Sequence, residues 1–217
     1  MTNTWYIIPA RKGSKGLPLK NRKLVPIVFD AVGTVTRPQD IIFSSDDQIL
    51  LSAAARRGFL CRARPDVLCT DTANMKEILL DVVEYYSLKD EDTLVCLYPT
   101  SPQRTSRDIK KALEFYNVNN LKSMLCRKKA KTHPYLCLQS SGNLKAIRPI
   151  DHELYRRQDY PECFEISHFM AITQVGELKN LCFQLYNSET GFMWIEDKVD
   201  VDSEKDFQQF LESRKAI

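Results

Sequence analysis

Between Arg11 and Lys20 lie four cations, Arg11, Lys12, Lys15 and Lys20, interleaved with Gly13, Ser14 and Gly16. Small residues let backbone N–H groups approach an anion closely, and the cations neutralise it, so this stretch has the chemistry of a polyphosphate cradle. It follows a short apolar run, Trp5 to Ile8, that reads as a buried parallel strand stopped by Pro9, which has no N–H to continue a ladder. Neither Gly-x-x-x-x-Gly-Lys-Ser/Thr nor Gly-x-Gly-x-x-Gly occurs here, so the loop is not a standard P-loop or dinucleotide fingerprint. A basic loop left in solvent is the alternative reading.

A second constellation, Asp200-Val201-Asp202, lies near the other end of the chain. Along an extended strand, alternate residues point to one face, which would bring both carboxylates together. Two such groups repel unless a cation lies between them, and their hard oxygens suit Mg²⁺. On a nucleoside triphosphate that ion withdraws charge from the α-phosphate and organises the leaving pyrophosphate. A surface turn before a capped helix is the competing reading. Asp46 and Asp47, at the end of an expected strand, could assist the metal or serve as caps.

Three further blocks complete a pattern: Arg64-Pro-Asp-Val-Leu-Cys-Thr-Asp-Thr-Ala73, Leu97-Tyr-Pro-Thr-Ser-Pro-Gln-Arg-Thr105 and Arg156-Arg-Gln-Asp-Tyr-Pro161. With Arg11-Lys-Gly-Ser-Lys-Gly-Leu-Pro-Leu-Lys-Asn21 and Asp200-Val-Asp202 they resemble, in order, the signature blocks of the acylneuraminate cytidylyltransferases, the CMP-sugar synthetases. The resemblance runs from residue 5 to about 211. It implies that CTP and Mg²⁺ are used to activate a 2-keto-3-deoxy sugar acid, with release of pyrophosphate. Sialic, legionaminic or pseudaminic acid comes first as that substrate, and Kdo second. A non-catalytic nucleotide-binding protein of the same fold is the rival.

The resemblance assigns the nucleotide to Ala10, Arg11, Gly13, Ser14, Lys15, Lys20, Asn21 and Arg64, with Arg64 near the base. Arg11, Lys15 and Lys20 would hold the triphosphate and its developing charge. Asp200 and Asp202 would hold the metal. Arg157 would reach an anionic group, sugar carboxylate or phosphate, from the partner subunit of a homodimer; the alternative for Arg156 and Arg157 is a surface salt bridge. The departures lie on the sugar side. Tyr98 stands where the family has glutamine, Leu136 where sialic acid enzymes often carry lysine, Ser167-His-Phe-Met-Ala171 where the family reads Asn-Gly-Ala-Ile-Tyr, and Gln184 in place of a phenylalanine. A rewritten pocket implies another sugar or lost activity. No general base is identifiable.

Strands alternating with helices must position these residues. Strands are expected at Ile41 to Ser45, Phe59 to Cys61, Thr93 to Tyr98 and Leu121 to Cys126, and helices at Gln48 to Arg57, Asn74 to Tyr86 and Thr105 to Tyr116. Leu24 to Val35 is ambiguous, with Pro26 in the first turn of a short helix. Asn74 with Glu77, Thr105 with Asp108 and Ser203 with Asp206 have capping spacing. The order implies β-α-β units and a mostly parallel Rossmann-like sheet, with ligands outside its carboxyl edge. With the resemblance, the expectation is an α/β, three-layer nucleotidyltransferase fold in one domain, residues 1–217. Its core would be 1–127 and 171–217, with a protruding dimerisation arm at 128–170. In that arm Tyr135 to Leu138 and Leu144 to Ile147 are expected to flank a Ser-Ser-Gly-Asn turn.

The chain has 217 residues, 43% hydrophobic and 27% charged, with a net charge of +3. That fits one globular α/β domain. The small net charge speaks against nucleic acid or a membrane surface as partner. No apolar run approaches the roughly 18 residues of a membrane span. Seven scattered cysteines without a Cys-x-x-Cys pair, and no signal-peptide pattern, read as reduced thiols in a cytoplasmic protein.

Overall fold

The computed structural model describes residues 2–196 and 198–215. Seven strands form one sheet: β1 (Thr4–Ala10), β2 (Ile41–Ser45), β3 (Leu60–Ala63), β4 (Thr93–Cys96), β5 (Ser123–Lys129), β8 (Phe164–Gln174) and β9 (Gly191–Trp194). Their order is β3-β2-β1-β4-β8-β5-β9. All pairings are parallel except those of β8, which runs antiparallel to both β4 and β5. A separate two-stranded hairpin comprises β6 (Gln139–Gly142) and β7 (Lys145–Ile147).

The strand period of two sends successive residues to opposite layers. Tyr6, Ile8 and Ala10 enter one core and Ile7 the other. The first core is covered by α1 (Lys20–Gly33), α2 (Gln48–Ala55) and α4 (Ser106–Val118), through residues such as Phe29, Leu51 and Ile109. The second is covered by α3 (Met75–Tyr86), through Leu79 and Val82, together with Val175, Leu178, Leu181 and Leu185. Helices on both faces of a mostly parallel sheet give the three layers. A small third cluster joins Leu17, Leu24, Val201 and Phe210, and so ties the cationic loop and α1 to the segment before α5 (Glu204–Lys215).

The three capping pairs all form. Asn74 with Glu77 and Thr105 with Asp108 exchange side-chain and backbone bonds. Ser203 and Asp206 do the same before α5.

Several expectations are corrected. Pro9 does not stop β1, which continues to Ala10. β4 pairs with β1 only as far as Ile7, so beyond it β1 has β2 alone as a partner strand. Pro26 lies inside a fourteen-residue α1 rather than in its first turn. A proline there removes a backbone bond, but burial of Val25, Val28, Phe29 and Val32 offsets the loss. Tyr135 belongs to a 3-10 turn, Pro134–Leu136, and not to a strand. The expected arm, 128–170, does not end at Met170, because β8 starts at Phe164 and carries Phe169 and Met170 into the buried core. β9 had no counterpart in the expected elements. The arm also has packing of its own: Tyr135 stacks on His152 with ring centroids 4.0 Å apart, and His133 and Tyr160 close around the pair.

Candidate active site

At the carboxyl edge of the sheet a cleft of about 540 Å³ opens. Arg11, Ser14, Lys15, Lys20, Asn21, Arg64 and Asp202 all line it, so residues up to 191 positions apart in the chain meet there (202 − 11 = 191). Its apolar lining includes Leu68, Met75 and Ile78.

The cationic loop is held at both ends. The Asn21 amide donates to the Arg11 carbonyl at 2.7 Å, and the Lys12 N–H donates to Asp46 at 2.6 Å. Asp46 therefore anchors the loop. Asp47 caps α2 by accepting from the Ile49 N–H, and pairs with Arg22 at 2.7 Å. Gly13 sits at φ +81, where only glycine is unstrained. Gly16 meets a different demand: a Cβ there would lie against the Asp202 carbonyl oxygen, nearer than the 3.0 Å that real Cβ atoms respect. The loop backbone thus packs directly on the Asp-Val-Asp segment.

That segment is not a strand. Val201 is fully buried in the third cluster, and its N–H donates to the Thr100 carbonyl at 2.7 Å. Asp200 and Asp202 flank it and are exposed, so the alternation read from the sequence survives without a β ladder. The Asp202 N–H donates to Asp206 at 3.2 Å, which fixes the segment to the start of α5. Lys20 Nζ reaches Asp202 Oδ1 at 2.9 Å.

Arg64 is 6% exposed and bonded to the Ser44 carbonyl at 3.0 Å, and burial pulls its pKa below the ordinary arginine value. Ala10 is buried at the end of β1, and neither it nor Gly13 lines the cleft. Arg157 opens a 3-10 turn in the arm and lines no part of the cleft of its own chain. Sequence reasoning missed the partner of the cations: Asp71 pairs with Arg11 and, at 2.5 Å, with Lys15. Hydrogen bonds from Lys15 and then Arg11 lower its pKa. Asp71 stood within the Arg-Pro…Asp-Thr-Ala block, but nothing local links it to Arg11 and Lys15, 60 and 56 positions earlier (71 − 11 = 60, 71 − 15 = 56).

A cytidylyltransferase family model matches residues 5–217. The chain belongs to the cytidylyltransferase family. It is 30% identical over 211 residues to an N-acylneuraminate cytidylyltransferase of Streptococcus agalactiae serotype V, covering 93% of this chain and 51% of that protein. The chain thus spans about half the length of such curated relatives. It is 30% identical over 149 residues to a CMP-N,N'-diacetyllegionaminic acid synthase of Legionella pneumophila, 64% of each chain. A solved CMP:2-keto-3-deoxy-manno-octonic acid synthetase complexed with CTP shares the fold, with a TM-score of 0.69, 16% identity and coverage of 99% and 100%.

In this member of the family a second pocket of about 260 Å³ shares Met75, Tyr98, Thr100 and Asp202 with the first. Asp200, His168, Phe183, Gln184 and Leu185 complete it. Tyr98, His168 and Gln184, which depart from the family pattern in three separate stretches, therefore gather in one cavity. Leu136 does not join them; it lies 44% exposed on the arm. Burial pushes the Tyr98 phenol well above its usual pKa, so it stays neutral. Among the described residues no helix is long and apolar enough to cross a membrane.

Proposed function

We propose that this chain transfers CMP from CTP to the anomeric hydroxyl of a 2-keto-3-deoxy sugar acid, a nonulosonate of the sialic or legionaminic acid type before Kdo. The observation that carries the reading is the joined pair of pockets, one lined by Arg11, Lys15 and Lys20 and the other by the rewritten residues, with Asp202 on their common wall. Arg11 and Lys15 would bind the phosphates and stabilise charge as it moves onto the leaving pyrophosphate. Lys20 would work beside Asp202 on the same phosphates. Arg64 would steady the base.

Asp200 and Asp202 fit a Mg²⁺ site. Among the described residues no group of three or more His, Cys, Asp or Glu side chains is placed so that it could hold a metal ion by itself. Mg²⁺ is commonly bound through one or two carboxylates together with substrate phosphates and water, which two carboxylates at the mouth of a phosphate cradle supply. When bound, the ion withdraws charge from the α-phosphate.

The same reading makes the protein a homodimer. Leu138, Leu144 and Tyr155 are largely exposed on the arm, an apolar surface of the kind that marks an interface. Arg157, outside the cleft of its own chain, would reach that of the neighbour across a two-fold axis. The test of the activity is pyrophosphate release from CTP and Mg²⁺ with a panel of keto-sugar acids. Release with one acid is expected. CTP binding without release on any acid would select the non-catalytic reading.

A further inference from the structure

The pairing of β5 with β8 slips between Leu125 and Cys126. Leu125 lies opposite Ala171, and the next residue, Cys126, lies opposite Ser167. Three residues of β8, His168, Phe169 and Met170, are therefore extruded from the ladder. Bulges of this kind re-aim side chains and are concentrated beside active sites. Phe169 and Met170 turn into the core, and His168 lines the second pocket.

Arg104 locks this geometry. The residue is 3% exposed, and its guanidinium donates to the Phe169 carbonyl in the bulge and, at 2.9 Å, to the Tyr98 carbonyl. One buried side chain thus ties the two backbone segments that carry Tyr98 and His168. The His168 ring rests near Tyr98, centroids 5.5 Å apart, and makes no hydrogen bond among the described residues.

A hydroxyl that attacks phosphorus must lose its proton, and the lining of this pocket offers few acceptors. Under the proposed function Asp200 and Asp202 are assigned to the cation, and Asp202 already pairs with Lys20 at 2.9 Å. The Tyr98 phenol is neutral. Thr100 and Gln184 are not bases. Histidine is the side chain suited to exchange a proton near neutral pH.

We propose that His168, presented by the β8 bulge that Arg104 pins, is the general base for the acceptor hydroxyl. The hydroxyl oxygen forms its bond to the α-phosphorus as the bond from that phosphorus to the bridging oxygen breaks. Pyrophosphate leaves with that electron pair, and the hydroxyl proton passes to the unprotonated imidazole nitrogen. The inference rests on the second pocket being the acceptor site of the proposed reaction.

The experiment first finds an acid among N-acetylneuraminic acid, legionaminic acid and Kdo that gives pyrophosphate release with the native protein, CTP and Mg²⁺. With that acid, His168→Ala and His168→Gln should each lower kcat by about 10²-fold or more, with the KM for CTP unchanged. Free imidazole should restore part of the rate to His168→Ala and none to His168→Gln, a rescue that a purely structural role would not produce. A kcat within about threefold of native, a loss carried only by the acceptor KM, or a kcat loss in His168→Ala that imidazole leaves untouched overturns the assignment of His168 while the reaction stands. No release from the native protein with any acid overturns the reaction and this inference together.

Discussion

Gly16→Ala isolates the contact between the cationic loop and the carboxylate segment. The added methyl would meet the Asp202 carbonyl oxygen nearer than 3.0 Å, with the Asp202 carbonyl carbon at 3.4 Å and Ser203 Cα at 4.0 Å. All three neighbours are backbone, so no flexible side chain can swing aside. Relief requires the loop and the Asp-Val-Asp segment to part by on the order of 1 Å, and a displacement of that size at a reacting site costs roughly 10²-fold in rate. Val201 is anchored in the cluster of Leu17, Leu24 and Phe210 and bonded to Thr100, so the strain is shared with a packed region. Overpacking of this kind typically costs about 1–3 kcal/mol of stability. Gly13→Ala is the control. It places a left-handed residue under strain at φ +81, but its methyl meets nothing within 4 Å. The assay is steady-state pyrophosphate release with Tm measured in parallel. Gly16→Ala should lose far more rate than Gly13→Ala while remaining folded. Equal, small losses in both variants would refute the claim that close approach at Gly16 sets the position of Asp202.

Asp202→Asn should abolish turnover with little change in Tm, because Asp202 is exposed and its removal deletes half of the proposed cation site; near-native activity at limiting Mg²⁺ would rule that site out. Asp71 occupies both Arg11 and Lys15, so a triphosphate must replace it. Asp71→Asn should therefore tighten CTP binding severalfold at low salt, an effect that fades as salt screens the charges; calorimetry showing unchanged or weaker binding would contradict this. Burial raises the pKa of Asp47, but hydrogen bonds from Arg22 and the Ile49 N–H outweigh it and leave the carboxyl below its usual value. Its contribution to stability is complete above the unfolded value of about 3.9 and is lost as pH falls through the lower folded value. Urea midpoints measured from pH 6 to pH 2 should fall less steeply in Asp47→Asn than in the native protein. Mixing inactive Arg157→Ala and Asp202→Asn chains should restore partial activity, since one site of a mixed dimer keeps its own Asp202 and receives an intact Arg157; no rescue despite demonstrated subunit exchange would dismiss the shared site.

How far these features were legible in the sequence depends on the range of the interactions that create them. α3 and α4 declare themselves locally, through the stripe Ile78, Leu79, Val82 and through capping pairs three residues apart. The cationic loop is equally local, since its glycines and cations are contiguous. α1 was obscured because a proline inside a helix argues against it, and only tertiary burial of Val28, Phe29 and Val32 overrides that cost. β8 was hidden because it changes character along its length: its first residues, paired with β5 alone, are part-exposed, and its later ones are buried on both faces. The bulge that aims His168 has no local signature at all, because it is a slip in register against a strand some forty residues earlier. The pairing of Asp71 with Arg11 and Lys15 is of the same kind. The cationic loop of the cleft is thus written in contiguous residues and could be read from them, whereas Arg64, Asp71 and Asp202 join it only through the fold. The second pocket, the proposed acceptor site, is assembled from Tyr98, His168 and Gln184, three single residues on separate segments, and becomes one pocket only when the antiparallel strand is inserted between β4 and β5. Under the proposed function, sequence change in that pocket would alter the acceptor without touching the cationic loop.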